Sequence, residues 1–190
     1  MGQGRSIIFD LILRYIDKIF MADTNDVIFQ EDPFSIKFDT DFYCALEKNL
    51  ITDPNNSSSQ CNREWLYPYY NISKESFNKK FDNKYVICCG TILGKYKAII
   101  DYLTFFDKNR HINDQGLFNI YIYDFCNSKT LLEYKNSEII TLDKIDYNSI
   151  KKDENGYLLN NNNNKYVILH QINRCGSQNL QLMIKNIVNK

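Results

Sequence analysis

The chain has 190 residues, of which 44% are hydrophobic, enough to bury the core of one ordinary domain. Lysine and arginine number 23, as do aspartate and glutamate, so no basic stripe indicates a nucleic acid or an anionic membrane as partner. The early apolar stretch at 7–20 is interrupted by charges, which excludes a membrane span or a signal core. None of the six cysteines forms the paired CxxC pattern of a zinc ribbon. We therefore expect a single domain over residues 1–190, located in the cytoplasm with reduced cysteines.

The first predicted elements are a helix and two strands on either side of an acidic turn. Apolar residues recur at helical spacing from position 8 to position 19, with charged residues between them. The apolar run at 19–22 predicts a buried strand, and the acidic residues at 23–26 predict a turn. A second strand is predicted at 27–29.

The middle of the chain is ambiguous at first and then clear. Residues 42–51 fit either a helix or a strand, and 53–60 form a polar stretch typical of a loop. Residues 85–89 predict an apolar strand that Gly90 ends, and 92–106 trace one face of a helix. Asn113 predicts the N-terminal cap of a further helix.

The last third predicts two more strands and a closing helix. Residues 138–142 and 165–169 are β-like and pair as a hairpin or flank the sheet, while 180–187 show helical spacing. There is no internal repeat. The order of elements predicts one α/β layer structure.

The acidic turn is the best candidate for chemistry. A strand that delivers Asp23 and Asp26 at its carboxyl end provides oxygen ligands on a rigid element, as a hard divalent cation requires. Such a cation could bridge a diphosphate and neutralise charge on a leaving nucleotide. Taken alone, two aspartates after a strand are more commonly turn and capping residues.

Four ordered segments carry a resemblance to a known family. Residues 21–34 read MADTNDVIFQEDPF and resemble the Asp-x-x-Asp-Val-x-Phe-Gln-x-Asp-Pro-Phe run of a family of GT-A-like glycosyltransferases. Residues 87–94 are similar to its Cys-Ser-Gly-Thr-x-x-Gly turn, and 113–119 to its Asp-Gln-Gly-x-His-Asn helix start. Residues 169–174 are similar to its closing His-Gln-x-x-Arg. The resemblance covers roughly residues 5–175.

The resemblance implies an α/β fold, namely a partial GT-A (Rossmann-like) mixed sheet flanked by helices. It implies glycosyl transfer from a nucleotide-sugar donor to a glycan or another hydroxyl acceptor, with Mn²⁺ or Mg²⁺ as the cofactor. The chain would lack the first nucleotide-binding βαβ portion. Without that portion one edge of the sheet would be exposed, and a partner chain or an unusual edge strand would have to cover it.

The resemblance also implies roles for individual residues. Asp23, Asp26 and His170 would be the metal ligands, since a neutral imidazole suits manganese, and Asn25 could add an amide oxygen near the substrate.

On the substrate side, Gly90 and Thr91 would approach the sugar, because glycine lets the backbone come close. The alternative is that Gly90 only serves a tight turn that needs a positive φ. Asp114 and Gln115 would contact the sugar or the acceptor hydroxyl, with Asp114 as the catalytic base.

The chain departs from the family pattern at three positions, and the departures leave three hypotheses open. Asn25 stands where arginine is common, Cys89 where serine is frequent and Phe118 where histidine is usual, which predicts a changed sugar specificity. The protein could be a glycosyltransferase, an inactive glycan- or partner-binding module, or a fragment that needs a separate nucleotide-binding half. A hydrolase is disfavoured because no nucleophile elbow is present.

Overall fold

A computed structural model describes residues 16–143 and 145–174. The predicted closing helix and most of the predicted first helix lie outside these residues. Ten strands and four α-helices make up the described part. The strands are β1 Lys18–Ala22, β2 Val27–Phe29, β3 Phe42–Leu50, β4 Tyr85–Ile87, β5 Thr91–Lys95, β6 Lys129–Glu133, β7 Ile139–Thr141, β8 Lys151–Lys152, β9 Leu158–Leu159 and β10 Ile168–His170. The helices are α1 Ser57–Leu66, α2 Lys74–Lys80, α3 Tyr96–Lys108 and α4 Asp114–Ile120.

The strands form two mixed sheets and a two-stranded antiparallel sheet of β8 and β9, which confirms the α/β class. In the main sheet the order is β1-β5-β3-β4, with antiparallel neighbours, and β6 runs parallel to β3. In the second sheet β10 lies between β2 and β7, antiparallel to β2 and parallel to β7. The hairpin alternative for 138–142 and 165–169 is therefore wrong, because parallel strands need a crossover connection instead of a tight turn.

Several predicted boundaries shift. Residues 42–51 resolve as strand β3, whereas the polar stretch 53–60 ends early because Asn56 caps α1 by accepting hydrogen bonds from the N–H groups of Ser58 and Ser59. The helix predicted from 92 begins only at Tyr96. Ile92 and Leu93 are consecutive buried residues of β5, and a strand covered on both faces cannot be told from a helix by periodicity.

The beginning of the described chain shows a similar shift. Ile19, predicted on the first helix as well as on the strand, belongs to β1, and Ile16 precedes that strand outside regular structure. β1 is half-buried and lies at one edge of the main sheet within the described residues. The predicted strands at 19–22 and 27–29 are otherwise confirmed.

Close packing of α1 against α4 shapes the region next to the acidic turn. Gly116 of α4 faces the backbone of Trp65 on α1, and a Cβ at Gly116 would lie 2.8 Å from the Trp65 carbonyl oxygen. Only glycine permits this separation, so the two helices meet at van der Waals distance. Asn62 and Trp65 are thereby placed beside the start of α4. Among the described helices, none has the length and apolar character that crossing a bilayer requires.

Candidate functional site

Asp23, Asp26 and His170 converge at one end of the two sheets. The two aspartates occupy the turn between β1 and β2, and His170 is the last residue of β10, opposite Val27 of β2. The His170 Nε2 atom lies 3.2 Å from Asp23 Oδ2 and 3.7 Å from Asp26 Oδ1. One ligand atom from each residue falls within 4.8 Å of the others. Two carboxylates and an imidazole at these separations fit neighbouring positions around one divalent cation, where ligands stand about 3 Å apart.

Gly90 lies against the side chains of Asp23 and His170. A Cβ at this position would lie 2.4 Å from His170 Nε2 and 2.5 Å from Asp23 Oδ2. The Gly90 carbonyl also accepts a hydrogen bond of 3.0 Å from the Asp23 N–H. The φ of Gly90 is not positive. Among the described glycines, only Gly156 has a positive φ. The predicted need for a positive φ at Gly90 is therefore wrong, and the close neighbours that a side chain here would meet are His170 and Asp23.

His170 is held in a buried environment that favours its neutral form. The residue is 1% exposed, and burial lowers its pKa against the opposing effect of Asp23 and Asp26. A neutral imidazole that offers its Nε2 lone pair carries its proton on Nδ1. That atom lies 3.2 Å from the Cys88 Sγ and 3.4 Å from the Thr141 Oγ1. The two neighbours therefore orient the ring so that Nε2 faces the aspartates.

Cys88 is a buried free cysteine whose Sγ contacts the imidazole nitrogen remote from the aspartates. We expect Cys88→Ala to lower the affinity for Mn²⁺ about tenfold, because the group that fixes the imidazole orientation is lost. Cys88→Ser keeps a hydrogen-bonding atom there and should retain most of the affinity. Titration of both variants, followed by the electron paramagnetic resonance signal of free Mn²⁺, measures the difference. Equal affinities for the alanine and serine variants would refute this role.

A polar cavity of about 320 Å³ opens beside the three predicted ligands. Its walls come from the acidic turn, β3, the facing sides of α1 and α4, and the segment after β10. The lining residues are Asp23, Glu47, Ser58, Cys61, Asn62, Trp65, Cys89, Asn113, Asp114, Gln115, Asp143, Gln171 and Arg174. The cavity therefore adjoins the candidate cation site directly, through the shared Asp23.

Glu47 is the carboxyl that projects from β3 into this cavity. Gln115 holds it through a 3.2 Å hydrogen bond from Nε2, and the Gln115 Oε1 accepts a 2.8 Å bond from the Cys89 N–H. Burial raises the pKa of Glu47, and the hydrogen bond from Gln115 partly offsets that rise. Both ends of the Gln115 amide are thus used to join α4, the Cys89 turn and Glu47.

A second, more apolar cavity of about 210 Å³ lies on the other side of the acidic turn. Asp23, Cys89 and Asp114 line both cavities, and the second is completed by Met21, Ala22, Ile92, Tyr102, Leu103 and Phe106. Asp114 therefore stands between two spaces, one polar and one apolar. A further depression of about 580 Å³ between α1 and α2 contains none of the predicted site residues.

The predicted substrate-binding residues separate into two groups. Asp114 and Gln115 line the polar cavity, and Gly90 contacts the predicted ligands. Thr91 is 3% exposed within β5 and lines neither of the two cavities at the acidic turn. Asn25 is an exposed residue of the turn.

Sequence reasoning missed Glu47, Asn62 and Trp65. Glu47 stands in an ambiguous segment, and a carboxylate directly after the apolar run at 42–46 is the one available signal. Asn62 and Trp65 follow the polar stretch that was interpreted as a loop. Recognition of Asn56 as a helix cap would have placed both on α1.

Comparison with known proteins adds no family assignment. No protein-family model matches the chain, and a search of the curated proteins gives no match. What the chain does must therefore be inferred from the geometry of this site, with the motif resemblance as a hypothesis.

Proposed function

We propose that this chain is a glycosyltransferase that moves a sugar from a nucleotide-sugar donor to an acceptor hydroxyl with the help of a divalent cation. The observation that carries the proposal is the convergence of Asp23, Asp26 and His170 beside a polar cavity. The proposal includes a partial GT-A arrangement for the mixed sheets. The ordered motifs at 21–34, 87–94, 113–119 and 169–174 support it.

The three side chains suit a cation that accepts both oxygen and nitrogen ligands. Asp26 is largely shielded and Asp23 is open to solvent, with side-chain exposures of 15% and 59%, so the site has a protected side and an accessible one. Two carboxylates with a neutral imidazole favour Mn²⁺ over Ca²⁺. When bound, the cation would hold the diphosphate and offset the charge that develops on the leaving nucleotide.

Asp114 is the residue proposed to take the acceptor proton. It is exposed at the start of α4 and lines both cavities, so an acceptor hydroxyl can reach its carboxylate from either side. One of its oxygens already accepts a 2.8 Å hydrogen bond from the Gln115 N–H. We propose that its other oxygen, Oδ2, takes the proton from an acceptor hydroxyl that lies within hydrogen-bond distance.

The test is calorimetric titration of uridine diphosphate and guanosine diphosphate into the purified chain, with and without Mn²⁺. We expect binding that requires the metal and that the Asp23→Ala, Asp26→Ala double variant loses. Glu31→Ala is the matched control, because it removes from the same segment an exposed carboxylate whose ion pair among the described residues is with Lys165, at 3.7 Å. This variant should bind as the unmodified chain does.

The same titration separates the alternative functions. An inactive glycan- or partner-binding module would keep its ligand in the presence of a chelator. A folded chain that binds neither nucleotide with Mn²⁺ present would overturn the proposal of an active transferase.

A further inference from the structure

Two residues that line the polar cavity each have a buried amide oxygen with no hydrogen-bond donor within the described residues. The two oxygens are Asn62 Oδ1 and Gln171 Oε1. Asn62 is 3% exposed, and its amide nitrogen donates a 2.9 Å bond to the Ser58 carbonyl, so only its oxygen lacks a partner. A buried acceptor without a donor costs about 1–3 kcal/mol in a finished structure. A ligand that brings donors would remove this cost.

The remaining polar groups of the cavity are also mostly acceptors. Four carboxylates line it, from Asp23, Glu47, Asp114 and Asp143. Arg174 is the one cationic side chain among the lining residues, and it already faces Asp143 at 3.6 Å. The cavity therefore suits a ligand that donates several hydrogen bonds and disfavours an anionic one.

The volume of the cavity and its aromatic side chain limit the class of ligand further. A volume of about 320 Å³ lies at the lower end of small-molecule sites, which span about 300–1,000 Å³. Trp65 contributes an amphipathic aromatic surface beside the acceptors. A single ring with several hydroxyls on its rim and an apolar C–H face meets both requirements, whereas a glycan of several rings does not fit this volume.

We propose that the polar cavity binds one monosaccharide ring, with hydroxyls donating to Asn62 Oδ1, Gln171 Oε1 and the Glu47 carboxyl, and with Trp65 against the ring. The inference rests on the proposed function to the extent that this ring is the sugar to be transferred. It adds the residues that recognise the sugar, none of which belongs to the predicted cation site.

The chain provides its own probe, because Trp65 is its single tryptophan. We expect the fluorescence of Trp65 to change in a saturable way when glucose, galactose, mannose or N-acetylglucosamine is titrated up to about 100 mM without cation or nucleotide. At least one of the four should bind. Asn62→Leu and Glu47→Met should each weaken that binding about tenfold, because each removes the acceptor oxygens while nearly preserving the side-chain volume.

Ser59→Ala is the matched control for Asn62. Ser59 lies one turn earlier on α1, and its buried hydroxyl also lacks a partner within the described residues, but it does not line the cavity. Its removal should leave sugar binding unchanged. Gln171→Asn provides a second test should Asn62→Leu fail to fold. Asparagine tolerates the φ of 56° at this position, and its shorter side chain moves the amide oxygen away from the ligand. This variant should also weaken binding.

The outcomes separate this inference from the proposed function. No saturable change with any of the four sugars in a folded chain would overturn the cavity assignment. So would an equal loss of binding in Ser59→Ala, or tighter binding of methylammonium than of every sugar. Metal-dependent nucleotide binding without sugar binding removes this inference alone. If the chain binds a sugar but shows no metal-dependent nucleotide binding, the transferase proposal is wrong and the cavity assignment stands.

Discussion

Gly90→Ala should lower the affinity for Mn²⁺ at least about 100-fold while the chain stays folded. The added Cβ would occupy positions 2.4 Å from His170 Nε2 and 2.5 Å from Asp23 Oδ2, both far inside van der Waals contact. Asp23 can rotate towards solvent, but His170 is buried and cannot move without repacking. Relief of the clash therefore separates the two proposed ligands.

Mn²⁺ titration and circular dichroism together measure this effect. Cys89→Ala is the control, because it changes the adjacent residue of the same turn and adds no atoms near His170. It should bind Mn²⁺ as the unmodified chain does. A Gly90→Ala chain that is folded and binds Mn²⁺ normally would show that His170 and Asp23 do not act on one cation.

The sequence predicted the shared turn of Asp23 and Asp26 correctly because the two residues are neighbours along the chain. Asp23 and Asp26 follow a recognisable strand, so their common location needed only local reasoning. His170 is 147 residues from Asp23, and only the motif resemblance associated the two. Their contact in space depends on the pairing of β10 with β2, which no local pattern predicts.

The missed residues depend on packing between distant elements. Glu47 reaches the cavity because Gln115 of α4 bonds to it, and Asn62 does so because Gly116 lets α1 approach α4. Neither contact leaves a periodic signal in the sequence. The predicted fold was affected in the same way, since β5 was assigned to the helix that follows it and β7 and β10 were open to pairing as a hairpin.

The long motif at 21–34 mixes site residues with structural ones. Gln30 uses both ends of its amide on backbone groups, accepting a 2.9 Å bond from the Leu158 N–H and donating a 2.6 Å bond to the Tyr166 carbonyl. Asp32 caps the turn that begins at Pro33 by accepting from the Phe34 N–H. A motif match therefore reports the local fold as much as the chemistry, and the predicted cation ligands within it are Asp23 and Asp26 alone.

Asn119→Leu should lower the free energy of unfolding by about 3 kcal/mol. Asn119 is fully buried in α4, and its Oδ1 accepts a 2.9 Å bond from the Ile87 N–H while its Nδ2 donates a 2.7 Å bond to the Ile87 carbonyl. Leucine has nearly the same shape but leaves both backbone groups of Ile87 buried without these partners. The loss is large because total stabilities are about 5–15 kcal/mol.

Urea denaturation followed by circular dichroism measures the loss, and Asn109→Leu is the matched control. Asn109 lies half-buried just after α3 and donates one 2.7 Å bond to the Phe105 carbonyl, so its replacement should cost less than about 1 kcal/mol. Because Ile87 leads directly into Cys88, Cys89 and Gly90, the Asn119 variant should also bind Mn²⁺ more weakly under conditions in which it is still folded. Equal destabilisation by the two variants would show that the hydrogen bonds between Asn119 of α4 and Ile87 of β4 do not contribute the expected stability.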